Sequence, residues 1–116
     1  MSGLLFGTAG VPLSAKDRGT ESGIRRISEL ELDCMEIEFV RGVNMKEDVA
    51  RRVRKLAEEE NVVLTAHGPY FINLNSPEPD KVEASIKRIL DTARVGALCG
   101  AKSITFHAAF FMKEKP

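Results

Sequence analysis

The sequence predicts an α/β fold of four parallel strands with helices on one face. The element order is βαβαβαβ, as in the N-terminal half of a (βα)8 barrel. Three observations predict it. Four apolar, β-type runs alternate with three segments of helical periodicity. Links from helix into strand are very short, whereas links from strand into helix are long. The second, third and fourth strands each have one apolar face and one face that turns polar toward the carboxyl end.

The elements follow in order. Leu4–Ala9 is the first strand, and the long loop Gly10–Gly19 leads from it to a helix over Thr20–Leu32. Ile24, Ile27 and Leu30 step along that helix three apart, and Thr20 or Ser22 can cap it. Asp33 alone separates it from the second strand, Cys34–Val40. The second helix runs over Met45–Glu60, with Asn44 as cap, Glu47 at capping-box spacing, and Val49, Val53 and Leu56 as its buried stripe. Asn61 links it to the strand Val62–His67. After the loop Gly68–Ser76, Ser76-Pro77 signals the start of a third helix over Glu78–Cys99. Its expected apolar stripe is Val82, Ile86, Ile89, Ala93 and Ala97, and Gly100 is its C-cap. Ser103–His107 is the fourth strand.

Helical connections between successive strands imply parallel pairing through right-handed crossovers. Met35, Ile37 and Phe39 oppose Cys34, Glu36 and Glu38; Val62, Leu64 and Ala66 oppose Val63, Thr65 and His67; Ile104 and Phe106 oppose Ser103, Thr105 and His107. A doubly wound sheet carries helices on both faces and needs both apolar. A (βα) barrel has helices outside only, and its lumen turns polar at the mouth. One-sided apolarity therefore selects the barrel, with strands in spatial order and with Glu38, His67 and His107 at one mouth. Such barrels take about 250 residues. The expectation is that residues 1–116 are the N-terminal part of a single TIM-barrel domain in a truncated chain. Its open sheet edges favour self-association.

Apolar residues make up 43% and charged residues 29%, and 17 Lys+Arg balance 17 Asp+Glu. This is globular composition, and it excludes a protein that grips nucleic acid by bulk charge, though not a local basic patch. No apolar run is long enough to span a bilayer, so no membrane partner is expected. The start lacks the basic segment of a signal peptide, and a cytoplasmic location is expected. Cys34 and Cys99 have no CxxC spacing and read as two buried, reduced thiols rather than zinc ligands.

The chain has only two histidines, His67 and His107. Both close an apolar-Thr-x-His run, Leu64-Thr65-Ala66-His67 and Ile104-Thr105-Phe106-His107, which reads as one βα unit used twice. A single strand-end histidine is more often a hydrogen-bonded core imidazole than a ligand. Two on adjacent parallel strands, about 4.8 Å apart, favour a shared metal. Neutral imidazole suits zinc, and a catalytic site commonly adds a carboxylate and a water.

His67-Gly68-Pro69-Tyr70-Phe71-Ile72-Asn73-Leu74 resembles the H-x-x-Y-[apolar]-[Ile/Met]-N-[apolar] signature of the endonuclease IV family. Members are zinc-dependent nucleases acting at abasic sites in DNA, built on a xylose-isomerase-like TIM barrel. The strand ending at His107 fits that family's second histidine ligand. Two departures stand out. Asn75 replaces the small Ala or Gly that usually closes the signature, and Glu36 and Glu38 lie in a strand that the family keeps largely neutral.

The resemblance implies that His67 and His107 ligate one zinc of a three-zinc cluster whose remaining ligands come from later strands. It implies that Tyr70 and Phe71 wedge into the duplex beside the abasic nucleotide. Without that role, both would fold back on the barrel rim. Arg41 is a candidate contact to DNA phosphate or minor groove, although its loop does not align cleanly with the family's basic residues. The implied activity is metal-assisted phosphodiester hydrolysis in DNA repair, with abasic DNA as partner. This chain alone is expected to lack it. Related barrels that isomerise or epimerise sugars also carry carboxylates at strand ends. That makes a sugar isomerase or epimerase the alternative enzyme, with Glu38 a candidate for moving the proton. A non-catalytic half-barrel module is the third reading.

Overall fold

The computed structural model describes residues 3–112. Met1 and Ser2, part of the start that lacks signal-peptide character, lie outside them, as does Pro116 at the expected truncation. Strands β1 (Gly7–Ala9), β2 (Cys34–Glu38), β3 (Val63–His67) and β4 (Ile104–Thr105) alternate with helices α1 (Thr20–Glu29), α2 (Glu47–Glu59) and α3 (Pro79–Leu98). The strands form one parallel sheet in the order β1-β2-β3-β4.

One core lies on one face of this sheet. Met35, Ile37, Phe39, Val62, Leu64 and Ala66 point from the strands into it, and Ile24, Ile27, Ala50, Val53, Leu56, Ala57, Val95 and Cys99 meet them from the helices. The alternating partners remain partly open: Glu36, Val63, Thr65 and His67 are half-buried and Glu38 is exposed. The architecture is that of the first strands of a (βα)8 barrel, helices outside and a polar inner face.

The outer strands are shorter than their sequence patterns. The expected Leu4–Ala9 pairs only over Gly7–Ala9, and Ser103–His107 only over Ile104–Thr105. Among the described residues each pairs with one neighbour only, and its flanking residues leave the ladder. Backbone bonds still track the neighbour beyond the ladder, as Ala66 N–H to Ser103 O at 3.0 Å and Gly68 N–H to Thr105 O at 2.8 Å show.

The helix starts correct the sequence assignments. Gly19, not Thr20 or Ser22, is the N-cap of α1. The Ser22 hydroxyl instead accepts the Asp17 N–H. Lys46 caps α2, and Asn44 lies back against Gly42. Pro79 opens α3 one position later than expected, preceded by Glu78, whose N–H donates to the Ser76 hydroxyl. At the other end of α3 the C-cap is Cys99 rather than Gly100, and Gly100 follows it with a φ of +77° that turns the chain, so that Ala101 N–H closes on Gly96 O.

The buried stripe of α3 also differs from the expected one. Ser85, Thr92, Val95 and Gly96 are buried, whereas Ile86 and Leu90 are 45% and 63% exposed. Small residues let the helix sit close on the sheet. A Cβ on Gly96 would lie 3.4 Å from Ile104 Cγ2 and 3.6 Å from Ala66 Cβ. The buried hydroxyls fold onto their own helix, Ser85 Oγ donating to Lys81 O and Thr92 Oγ1 to Arg88 O. Of the cysteines, Cys99 is buried and Cys34 only half-buried, and both are free thiols.

Candidate active site

The site is built at the carboxyl ends of β2, β3 and β4. Parallel register sets Glu38 beside His67 and His67 beside Thr105, so residues on one face line up across the sheet. His107 follows Thr105 by one alternation and returns to that face. The two imidazoles lie 5.2 Å apart, centre to centre, with their planes inclined by 51°. Two imidazoles on one tetrahedral zinc, each nitrogen about 2.0–2.1 Å from the ion, place their ring centres about 5 Å apart.

His67 is also oriented. Its Nδ1 lies 2.8 Å from the Gly68 carbonyl oxygen. A carbonyl can only accept, so Nδ1 is the donor in this contact, and in the neutral imidazole that leaves the lone pair on Nε2. That second contact is the one metal-bound histidines usually make. It depends on a close fit behind the loop, where a Cβ on Gly68 would meet Phe106 Cβ and Thr92 Oγ1 at 3.3 Å.

Glu38 shares the face but not the centre. Its carboxylate is turned toward the end of β1, where Oε2 would be 3.1 Å from a Cβ at Gly10. Gly10 has a φ of +87°, a conformation a side chain would strain. Among the described residues, no group of three or more His, Cys, Asp or Glu side chains is placed to hold one ion. Zinc needs three or four protein ligands. The donors present therefore fit part of a zinc site, two imidazoles of it. Glu36 and Glu38 have no ion-pair partner among the described residues, and Glu38 resolves its charge by facing water.

Tyr70 and Phe71 project from the loop after β3 and are exposed. Pro69 and Ile72 on either side are fully buried, which forces the two aromatic rings outward. Tyr70 N–H donates to Val40 O at 3.1 Å, so the β2 loop supports this one. Arg41 is not brought to the histidines. It is exposed beside Glu38 and Asn44 around a separate hollow of about 420 Å³. Sequence reasoning missed the polar framework behind the aromatic loop: Asn73 N–H donates to Ser85 Oγ at 2.8 Å, and Arg88 Nη1 to Phe71 O at 2.8 Å.

The profile of xylose isomerase-like TIM barrels matches residues 24–116. The chain belongs to that family. It is 46% identical over 111 residues to an uncharacterized protein of Methanocaldococcus jannaschii, a match covering 96% of this chain and 39% of that one. Among solved structures, endonuclease IV from Thermus thermophilus superposes with a TM-score of 0.68 at 20% identity, over 87% of this chain and 40% of that one. D-psicose 3-epimerase from Clostridium cellulolyticum, solved with D-tagatose, gives 0.66 at 19% identity, over 78% and 32%. The chain thus spans no more than about 40% of the length of these relatives. The nuclease and the epimerase share its fold. Among the described residues, no helix is long and apolar enough to cross a membrane.

Proposed function

We propose that this chain contributes the first part of an endonuclease IV-like active site for zinc-dependent cleavage of the DNA backbone at abasic sites. The observation that carries the proposal is the His67–His107 pair, two rings 5.2 Å apart with the Nδ1 of one committed to a carbonyl. His67 and His107 would hold zinc, which supplies Lewis-acid stabilisation of charge on a phosphate. The remaining ligands come from strands beyond β4. The chain's own residues do the positioning. Gly68 fixes the His67 tautomer, and exposed Tyr70 and Phe71 replace stacking lost where a nucleotide leaves the duplex. The neutral overall charge makes such recognition depend on shape and stacking more than on bulk attraction.

A second reading has specific support. Glu38 is the register neighbour of His67, and a carboxylate on the face that carries both imidazoles, even one turned toward Gly10 as here, is a group that could move a proton on a sugar. The test is direct. A polypeptide carrying this chain at the length of its relatives should nick duplex DNA at an abasic site, stop with a chelator, and recover with zinc. Metal-dependent epimerisation of a ketohexose without nicking would establish the second reading instead. The 116-residue chain alone should show no turnover.

A further inference from the structure

Two loops leave the mouth side by side, residues 68–78 after β3 and residues 106–112 after β4. Loops at strand ends are ordinarily the mobile parts of a barrel. Here they are bonded to each other. Leu74 N–H donates to Ala108 O at 2.9 Å. The Phe110 backbone is held at both of its polar groups: its N–H donates to Asn73 Oδ1 at 3.2 Å, and its carbonyl accepts from Asn75 Nδ2 at 2.9 Å. The Asn75 backbone N–H also donates to Asn73 Oδ1 at 3.1 Å, so that one side-chain oxygen bridges the backbones of Asn75 and Phe110. The pair imitates a strand partner for a segment that has left the ladder.

The consequence is a shared wall. Tyr70, Phe71 and Phe110 line a single hollow of about 590 Å³ together with Asn73 and the first turns of α3 from Asp80 to Arg88. Their exposures are nearly equal, 59%, 59% and 57%. From this geometry we infer that Phe110 is a third aromatic contact for the unstacked nucleotide, and that Asn75 is the positioning residue that holds it beside Tyr70 and Phe71. The inference rests on the DNA reading for its ligand, while the loop clamp stands on the hydrogen bonds alone. It also gives a reason for Asn75 where the family signature closes with a small residue: the amide supplies the second bond to Phe110.

Tyr70 is the only tyrosine and the chain has no tryptophan, so tyrosine emission reports this loop alone. In the 116-residue chain without ligand, Asn75→Ala should lower the fluorescence anisotropy of Tyr70 and raise its quenching by acrylamide. Asn75→Asp should do the same, because it removes the donor to Phe110 O. Unchanged anisotropy in both variants overturns the clamp. With a duplex oligonucleotide bearing one abasic site as probe, Phe110→Leu should weaken binding by roughly 5-fold or more, within the roughly 5- to 150-fold expected of one stacked base. Equal binding by wild type and Phe110→Leu removes Phe110 from the contact surface. No binding by wild type, together with the anisotropy change, overturns the DNA reading and the ligand assigned to Phe110, and leaves the clamp in place.

Discussion

The apolar-Thr-x-His unit occurs twice, and the two copies are built differently. In the β3 copy the strand pairs with β2 over five residues and with β4 over two, Leu64 and Ala66 are buried, and His67 is half-buried with its ring tied to Gly68. In the β4 copy the ladder is two residues long, Ile104 is only half-buried, and His107 is exposed. The same residues thus give an oriented imidazole in one place and a loosely held one in the other. Within residues 3–112 the difference follows the pairing, since β3 has a neighbour on each side and β4 on one. An interior strand has its dihedrals fixed by two ladders, whereas an edge strand is fixed by one.

The largest effect should come from the rings themselves. His67→Ala and His107→Ala should each weaken zinc binding, measured by titration calorimetry, by more than the roughly 10- to 100-fold typical of a lost outer-shell partner. Wild-type affinity in either variant would break the pairing of the two copies.

The next test compares their cores. Leu64→Ala removes a side chain that is 1% exposed and should cost about 2–5 kcal/mol in denaturant unfolding. Ile104→Ala, half-buried at the edge, should cost about half as much. Equal costs would mean that β4 is as firmly packed as β3.

Much of this contrast was legible in the sequence, for an identifiable reason. Alternation in Cys34–Val40 and Val62–His67 records which face meets the helices, and that alone selected the one-sided sheet and its strand order. The α3 face was not legible. Val82, Ile86 and Ile89 match helical periodicity, but the contact surface is decided by how closely the helix can approach, so Ser85, Thr92 and Gly96 won it. Helix starts failed for a local reason, since Asn44 turns back over Gly42 instead of capping. At the site, both histidines and both exposed aromatics were visible as motif residues. The Asn73–Asn75 clamp was not, because its partner, Phe110, lies on another loop.

Cys99 sharpens the comparison at the base of β3, where it packs near Val62 and Leu64. Burial pushes its thiol from 9.0 up to about 11. The folded state therefore keeps a proton that the unfolded chain releases above pH 9, and stability should fall between about pH 9 and 11. A shift of that size corresponds to roughly 2–3 kcal/mol. Cys34 is raised too, by burial first and Asp33 second, and adds the same sign. Melting Cys99→Ala alongside wild type at about pH 8, below the titration, and at about pH 10.5, well into it, isolates the Cys99 share. An unchanged slope in the variant would remove it.

The smallest expected effect is the most diagnostic of how the two copies differ. The β3 copy has Gly68 after its histidine and the β4 copy has Ala108. Gly68→Ala meets no backbone obstacle of the kind at Gly10, because its φ is not in the left-handed region. What it meets is packing: Phe106 Cβ and Thr92 Oγ1 at 3.3 Å and Ile72 Cδ1 at 3.4 Å, with Ile72 and Thr92 fully buried. Neighbours must give by a few tenths of an ångström, at a cost of about 1–2 kcal/mol, or roughly 4–16 °C in Tm for a domain of this size. The same displacement moves the carbonyl that holds His67 Nδ1. Zinc affinity should therefore fall along with Tm, whereas Ala108→Gly, on the exposed copy, should change neither by much. A Gly68→Ala variant with unaltered Tm and zinc affinity would show that the glycine is incidental and that His67 owes its orientation to the strand alone.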